Sequence, residues 1–245
     1  MCRILFVTVG TSAAENPEIA KHSPALKDRL GDDDARTLIT NLEEQPEQVV
    51  SLRELLLSAH REFWDERDAY RKDRDHFRHT SAETISTFMA LGYLQHGVDK
   101  VVLLVSDTTL GRLCGSINET LFREYLFVTR EGSRDDVMVE EITGLNPREE
   151  NPEFFKVYRQ VRDIVERYTA GNECQPLFNI TGGYKGLIPP VTHLAWNQYK
   201  ERSPEVLYMH DSMKATITLS PRQDGLEMRE EATRIVRTEA NVRRR

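Results

Sequence analysis

Lys185 is the residue of this 245-residue chain around which most chemistry gathers. It lies in Phe178-Asn179-Ile180-Thr181-Gly182-Gly183-Tyr184-Lys185-Gly186-Leu187-Ile188-Pro189-Pro190. There an apolar strand end turns through two glycines and runs into a helix spanning Leu187 to about Tyr199. Paired glycines let backbone N–H groups approach a ligand closely. A helix N-terminus presents orphan donors and a partial positive charge, which favour an anion. Lys185 adds a full charge at the same point. The segment reads as a phosphate cradle with a cation aimed at it.

Two further strand ends carry small polar residues. Cys2 to Val9 is an apolar run ending in Gly10-Thr11-Ser12, and Lys100 to Val105 is another, ending in Ser106-Asp107-Thr108-Thr109. Open α/β sheets bind ligands outside the carboxyl ends of their strands. Three polar ends therefore predict one shared site, with Arg112 just beyond. Each also fits an ordinary turn with a helix cap, and only the combination favours a site.

Other chemistries lack support. No P-loop spacing is present, and the dinucleotide fingerprint is absent after the first strand. That leaves ATP hydrolysis and hydride transfer without sequence support. The seven histidines show no metal spacing, so neither a metal nor a cofactor is expected. Glu140-Glu141 and Asp135-Asp136 are adjacent pairs that cannot face each other across a site. Arg71/His76 and Arg74/His79 match Arg-x4-His, the spacing of HEPN ribonucleases, but in so charged a stretch they read as a solvated face.

Apolar patterning supplies the elements that must position these residues. Cys2–Val9 and Lys100–Val105 read as strands buried on both faces, hence parallel. Val137–Ile142 is a third, less apolar strand nearer an edge, and Pro176–Ile180 a fourth. Gln48–Arg61, Ser81 to about Gln95 with Ser81 as N-cap, the segment from Thr109 to about Tyr125, and Glu153–Tyr168 read as helices. Glu205–Met209 and Ala215–Leu219 form a hairpin, and 226–240 reads as a final helix. The expected fold is α/β, a three-layer sandwich on a mostly parallel sheet with a C-terminal antiparallel hairpin. Residues 1–222 form the domain, 13–80 a long polar insertion and candidate lid, and 223–245 a helix or tail.

Composition sets outer limits. Charged residues make up 30 % and the formal net charge is −7. That acidity argues against a general DNA or RNA binder, and Arg243-Arg244-Arg245 reads as a solvated tail. No apolar run approaches the ~20 residues of a membrane span, and no signal peptide is visible. Three scattered cysteines (Cys2, Cys114, Cys174) read as structural thiols of a reducing cytoplasm.

Val9-Gly10-Thr11-Ser12 after the first strand, the late Asn179-Ile180-Thr181-Gly182-Gly183-Tyr184-Lys185-Gly186, and the closing strand pair together resemble the CARF (CRISPR-associated Rossmann fold) domains. The resemblance spans roughly residues 1–222. It implies a Rossmann-like fold and a homodimer that binds a cyclic oligoadenylate, the second messenger of type III CRISPR immunity, across both crevices. Family members without an effector domain include ring nucleases, and only 24 residues follow Pro221. The implied activity is a metal-independent phosphodiesterase. The ribose 2′-OH would attack its own 3′-phosphate, giving linear products with a 2′,3′-cyclic phosphate. The family's functional positions fall on Ser12 and Lys185. Lys185 would stabilise charge, and Ser12 would grip the phosphate with N–H groups around Gly10–Thr11. Gly182 and Gly183 would allow close approach, with Tyr184 beside them. Asn179, Thr181, Asp107, Thr108, Thr109 and Arg112 are candidates for base or ribose contacts. The ring could hold four or six adenylates, with cyclic tetra-adenylate favoured. A non-catalytic sensor acting through a partner effector is the alternative. No residue stands out as a general base.

Overall fold

Arg3–Thr8 (β1) and Lys100–Ser106 (β2) bury nearly every side chain, and a computed structural model places them side by side within a seven-stranded sheet. The structure describes residues 2–15, 19, 23–30, 46–65, 81–94, 97–126, 136–145, 154–170, 174–183, 185–198, 200–209, 215–222 and 225–232. The remaining strands are β3 (Val137–Ile142), β4 (Gln175–Asn179), β5 (Glu205–Met209), β6 (Ala215–Arg222) and β7 (Gly225–Ala232). Their order is β3-β2-β1-β4-β5-β6-β7. The first five run parallel, while β5–β6 and β6–β7 pair antiparallel. The expected edge position of Val137–Ile142 and the hairpin over 205–219 are both found.

Strand alternation sorts the core into two faces. Leu5, Val7, Val101, Leu103, Val105 and Leu177 face one layer of helices. That layer contains α1 (Ser12–Glu15), α2 (Pro24–Leu30), α3 (Pro46–Asp65), α4 (Ala82–Leu94) and α5 (Thr109–Leu121). Ile4, Phe6, Val102, Leu104 and Phe178 face the other layer, formed by α6 (Phe154–Thr169) and α7 (Ile188–His193). The result is a Rossmann-like three-layer sandwich.

Two local expectations change. The 226–240 segment does not begin as a helix, because Gly225–Ala232 pairs along the whole of β6. Alternating Leu226 and Met228 suit a strand, and the open edge of β6 supplies backbone partners. The described part of 13–80 packs as a wall of the core, and the remainder of that expected lid lies outside the described residues. In α3, Leu52, Leu56, Leu57, Ala59 and Trp64 are buried, and Trp64 stacks on Tyr125 with centroids 5.7 Å apart. Arg61 makes a two-pronged bond to Glu124 at 2.9 and 2.7 Å.

The cysteines also differ from expectation. Cys2 and Cys174 form a disulfide, and only Cys114 is a free, buried thiol. Parallel register explains the pairing: Arg3 lies opposite Gln175, so the preceding residues on β1 and β4 are immediate neighbours. Spacing in the sequence gives no hint of this, since 172 residues separate them. The Arg71–His79 stretch and Arg243–Arg245 lie outside the described residues.

Candidate functional site

β2, β1 and β4 are consecutive in the sheet, so the three polar strand ends lie in a row at one edge. The chain winds outward in opposite directions from β1 and β4, which makes the gap above them the topological switch point. The turns there touch through their backbones. A Cβ on Gly10 would stand 2.7 Å from the Gly183 nitrogen, and Gly183 has φ +99°. Only glycine adopts that conformation without strain. Buried Thr8 locks the turn by donating its hydroxyl to the Gly182 carbonyl.

Beneath these turns sits a residue absent from the sequence-based candidates. Glu83, in the first turn of α4, has no exposed surface. Its Oε1 accepts the Gly10 N–H at 2.7 Å, and its Oε2 accepts the Ser12 hydroxyl at 2.5 Å. Ser12 Oγ in turn accepts the Ala82 N–H at 2.9 Å. A Cβ on Gly182 would meet Glu83 Oε1 at 2.0 Å, so that glycine is required by the carboxylate itself. Burial pushes the Glu83 carboxyl above its ordinary range, and the bonds from Ser12 and Gly10 pull it back only in part. The helix N-terminus also favours the negative charge. Ser81 caps the helix as expected, accepting the Thr84 N–H at 3.0 Å.

This arrangement redistributes the expected roles. The Gly10 N–H is committed to Glu83 and not to a phosphate. Ser12 likewise spends its hydrogen on Glu83 and can meet a ligand only as an acceptor. Thr11 caps α1 through its carbonyl, which accepts N–H groups of Ala14 and Glu15 at 3.0 and 2.9 Å.

Lys185 is exposed and opens a short 3-10 turn, Lys185–Leu187, that leads into α7. Among the described residues it makes no ion pair or hydrogen bond. The expected helix is present, continuing as a π-helical segment through Gln198. Pro189 and Pro190 lie near its start and carry no N–H. The first turn therefore offers fewer donors than a generic helix end, and Lys185 adds a formal positive charge beside it. Tyr184 lies outside the described residues.

The remaining candidates are occupied structurally. Asn179 is buried and donates to Ser86 and Thr87 of α4 at 2.8 and 3.1 Å. Its side-chain carbonyl accepts the Thr181 N–H at 3.1 Å. Thr181 Oγ1 accepts the Met209 N–H at 3.0 Å, tying the glycine turn to β5. Thr108 is the N-cap of α5, accepting the Gly111 N–H at 3.0 Å, and Thr109 is the first residue of that helix. Arg112 forks onto Glu141 at 2.7 and 2.9 Å. Asp107 Oδ2 accepts the Gly144 N–H at 3.1 Å, while its buried Oδ1 has no partner among the described residues. The β2 end thus organises α5 and β3, and the β1 and β4 ends hold the site.

A signal for Glu83 does exist in the sequence. It is the only charged residue between Ala82 and Leu94, in a helix otherwise apolar or small. A lone carboxylate in such a helix must be buried with partners or point off its end.

The model of the family described as CRISPR-associated protein (Cas_APE2256) matches residues 78–222, more than half of the chain. The matched span contains Glu83 and Lys185 and leaves out Gly10–Ser12. No curated protein matches the chain. Among the described residues, no helix is long and apolar enough to cross a membrane.

Proposed function

The chain belongs to that CRISPR-associated family, and on this premise we propose that it is a ring nuclease of type III CRISPR immunity. It binds a cyclic oligoadenylate, with cyclic tetra-adenylate favoured over cyclic hexa-adenylate, across the crevices of a homodimer. It cuts the ring without a metal and so switches signalling off, acting in the cytoplasm. A disulfide is unusual in that compartment except in hyperthermophiles.

The observation that carries this reading is Lys185: an exposed cation without a partner among the described residues, just past a glycine turn at the switch point between β1 and β4. Arg112, the other cation proposed from sequence, is engaged by Glu141. A phosphodiester in this crevice meets the exposed Lys185 ammonium. In-line attack by the ribose 2′-OH needs no external water, because nucleophile and phosphate belong to the same nucleotide. Binding the ring in a twisted conformer supplies part of the acceleration through positioning. Lys185 stabilises the pentacoordinate oxygens and the leaving 5′ oxygen, an effect on the order of 3 kcal/mol for one well-placed donor.

The test is incubation of purified protein with radiolabelled cyclic tetra-adenylate and cyclic hexa-adenylate in the presence of EDTA, resolving products over time. Linear products ending in 2′,3′-cyclic phosphate, slowed by about 100-fold or more in Lys185→Ala, are expected. Tight binding without cleavage would make the protein a sensor acting through a partner. Neither binding nor cleavage would overturn the assigned ligand.

A further inference from the structure

Ser12, in the turn that follows β1, gives its hydroxyl to Glu83, and its hydrogen-bond geometry is asymmetric. A hydroxyl has one hydrogen and two acceptor positions. The hydrogen is given to Glu83, and one acceptor position takes the Ala82 N–H. Among the described residues nothing donates to the second position. A ligand group that meets Ser12 must therefore be a donor, and a phosphate oxygen is not one. A ribose hydroxyl is.

Resting on the ring-nuclease reading above, we infer that Glu83 is the positioning residue that turns Ser12 Oγ into the proton acceptor for the attacking 2′-OH. As O2′ bonds to phosphorus, the 2′-OH proton passes to Ser12 Oγ and the Ser12 proton to Glu83 Oε2. The P–O5′ bond breaks with its electron pair on O5′, which takes a proton from Lys185 Nζ. Glu83 and Lys185 end neutral and recover their charges by exchange with water.

The carboxylate is fixed for this task from three directions. The Gly10 N–H holds Oε1, Ser12 holds Oε2, and the missing Cβ of Gly182 leaves room for Oε1 on the crevice side. The groups facing it are those donors, the Ser81 hydroxyl of its own cap, and the Cys114 thiol of α5. Burial and the nearby Glu83 both push that thiol up and keep it neutral. Among the described residues, no cation is one of the groups that shift Glu83. A protonated Glu83 would donate to Ser12 and could not accept from it. Cleavage should therefore rise with pH as Glu83 ionises.

Glu83→Gln keeps an oxygen for the Gly10 N–H but presents an N–H to Ser12, reversing the bond. The experiment measures single-turnover cleavage of radiolabelled cyclic tetra-adenylate across the acid and neutral range for the wild type, E83Q, S12A and the double variant. Ring binding is followed in parallel. Expected is a slowing on the order of 100-fold in E83Q with binding within about threefold. The double variant should be no slower than the slower single one, since both act on one proton. The acid limb of the wild type should vanish in both singles. Cleavage by E83Q within about threefold of wild type, or effects that multiply in the double variant, would overturn the inference. If E83Q does not fold, the S12A profile decides: loss of the acid limb supports the relay, and an unchanged limb refutes it. A wild-type protein that binds the ring and never cuts it removes the nuclease reading and this inference together. A wild type that cuts while E83Q is unimpaired removes only the inference.

Discussion

His60 makes the stability of this domain depend on pH in a way the structure quantifies. The ring is fully buried in α3, and its Nε2 lies 2.9 Å from the Ala13 carbonyl, one residue past Ser12. Desolvation lowers its pKa from 6.5 to about 4, outweighing the bond to Ala13. A depressed histidine favours the neutral form in the native state, so the unfolded chain binds more protons between these two values. Stability is fully present above the unfolded pKa and drains away as pH falls towards the native one. At 1.36 kcal/mol for each unit, the whole effect is about 3 kcal/mol. Roughly 2 kcal/mol of it should be lost between about pH 7 and pH 5. The perturbation is His60→Gln, whose amide keeps a donor near the Nε2 position but does not titrate. Urea unfolding of both proteins at both pH values gives four free energies. Other titrating groups cancel in the difference between the two proteins, and the wild type should lose about 2 kcal/mol more than the variant on acidification. Equal losses, or a larger loss in the variant, would refute the reasoning.

Glu83 carries the opposite sign. Its carboxyl is raised by burial, so it weakens the fold as pH climbs through the native pKa. The stability of E83Q relative to wild type should therefore increase with pH, as seen by thermal unfolding in acid and neutral buffer. Gly182→Ala would drive a Cβ into the buried Glu83 carboxylate, and a loss of about 2 kcal/mol with markedly slower ring cleavage is expected. An alanine variant with native stability and rate would show that the carboxylate can move aside. Denatured without reductant, the protein should yield one alkylated thiol, Cys114; with reductant it should yield three. Reduction should also lower stability, by up to about 5 kcal/mol on the chain-entropy account for so long a loop.

Much of the layout was legible because the elements are strongly patterned. Val101 to Val105 could only be a strand covered on both faces, and Ser81 announces α4 by its cap. The crevice followed from strand ends and the general rule for open sheets. What stayed hidden depends on register and burial. Ser81-Ala82-Glu83-Thr84 reads as a helix start, and although its lone charge in an apolar helix hints at burial, only the tertiary fold brings Gly10 and Gly182 over the glutamate. Asn179 and Thr108 belong to types that serve ligands and caps equally well, and tertiary placement assigned both to structure. Cys2 and Cys174 looked solitary because pairing between parallel neighbours leaves no trace in spacing. Residues 225–232 form a strand where the charged sequence suits a helix, because the open edge of β6 is a tertiary fact; 233–240 lie outside the described residues.

The pairing of β1 with β4 has a consequence for biosynthesis. Arg3 to Val7 lie against Gln175 to Asn179, so β1 must wait for a strand synthesised far later. Translation proceeds at ~5–20 residues per second, and until β4 emerges one side of β1 has no backbone partner. The β1 turn and α4 can meet early, placing Glu83 under Gly10, whereas Lys185 arrives only with the last part of the sheet. Nascent chains should therefore be blind to the ligand through most of their synthesis, and exposure of that unpaired strand side makes the same interval the one most open to aggregation.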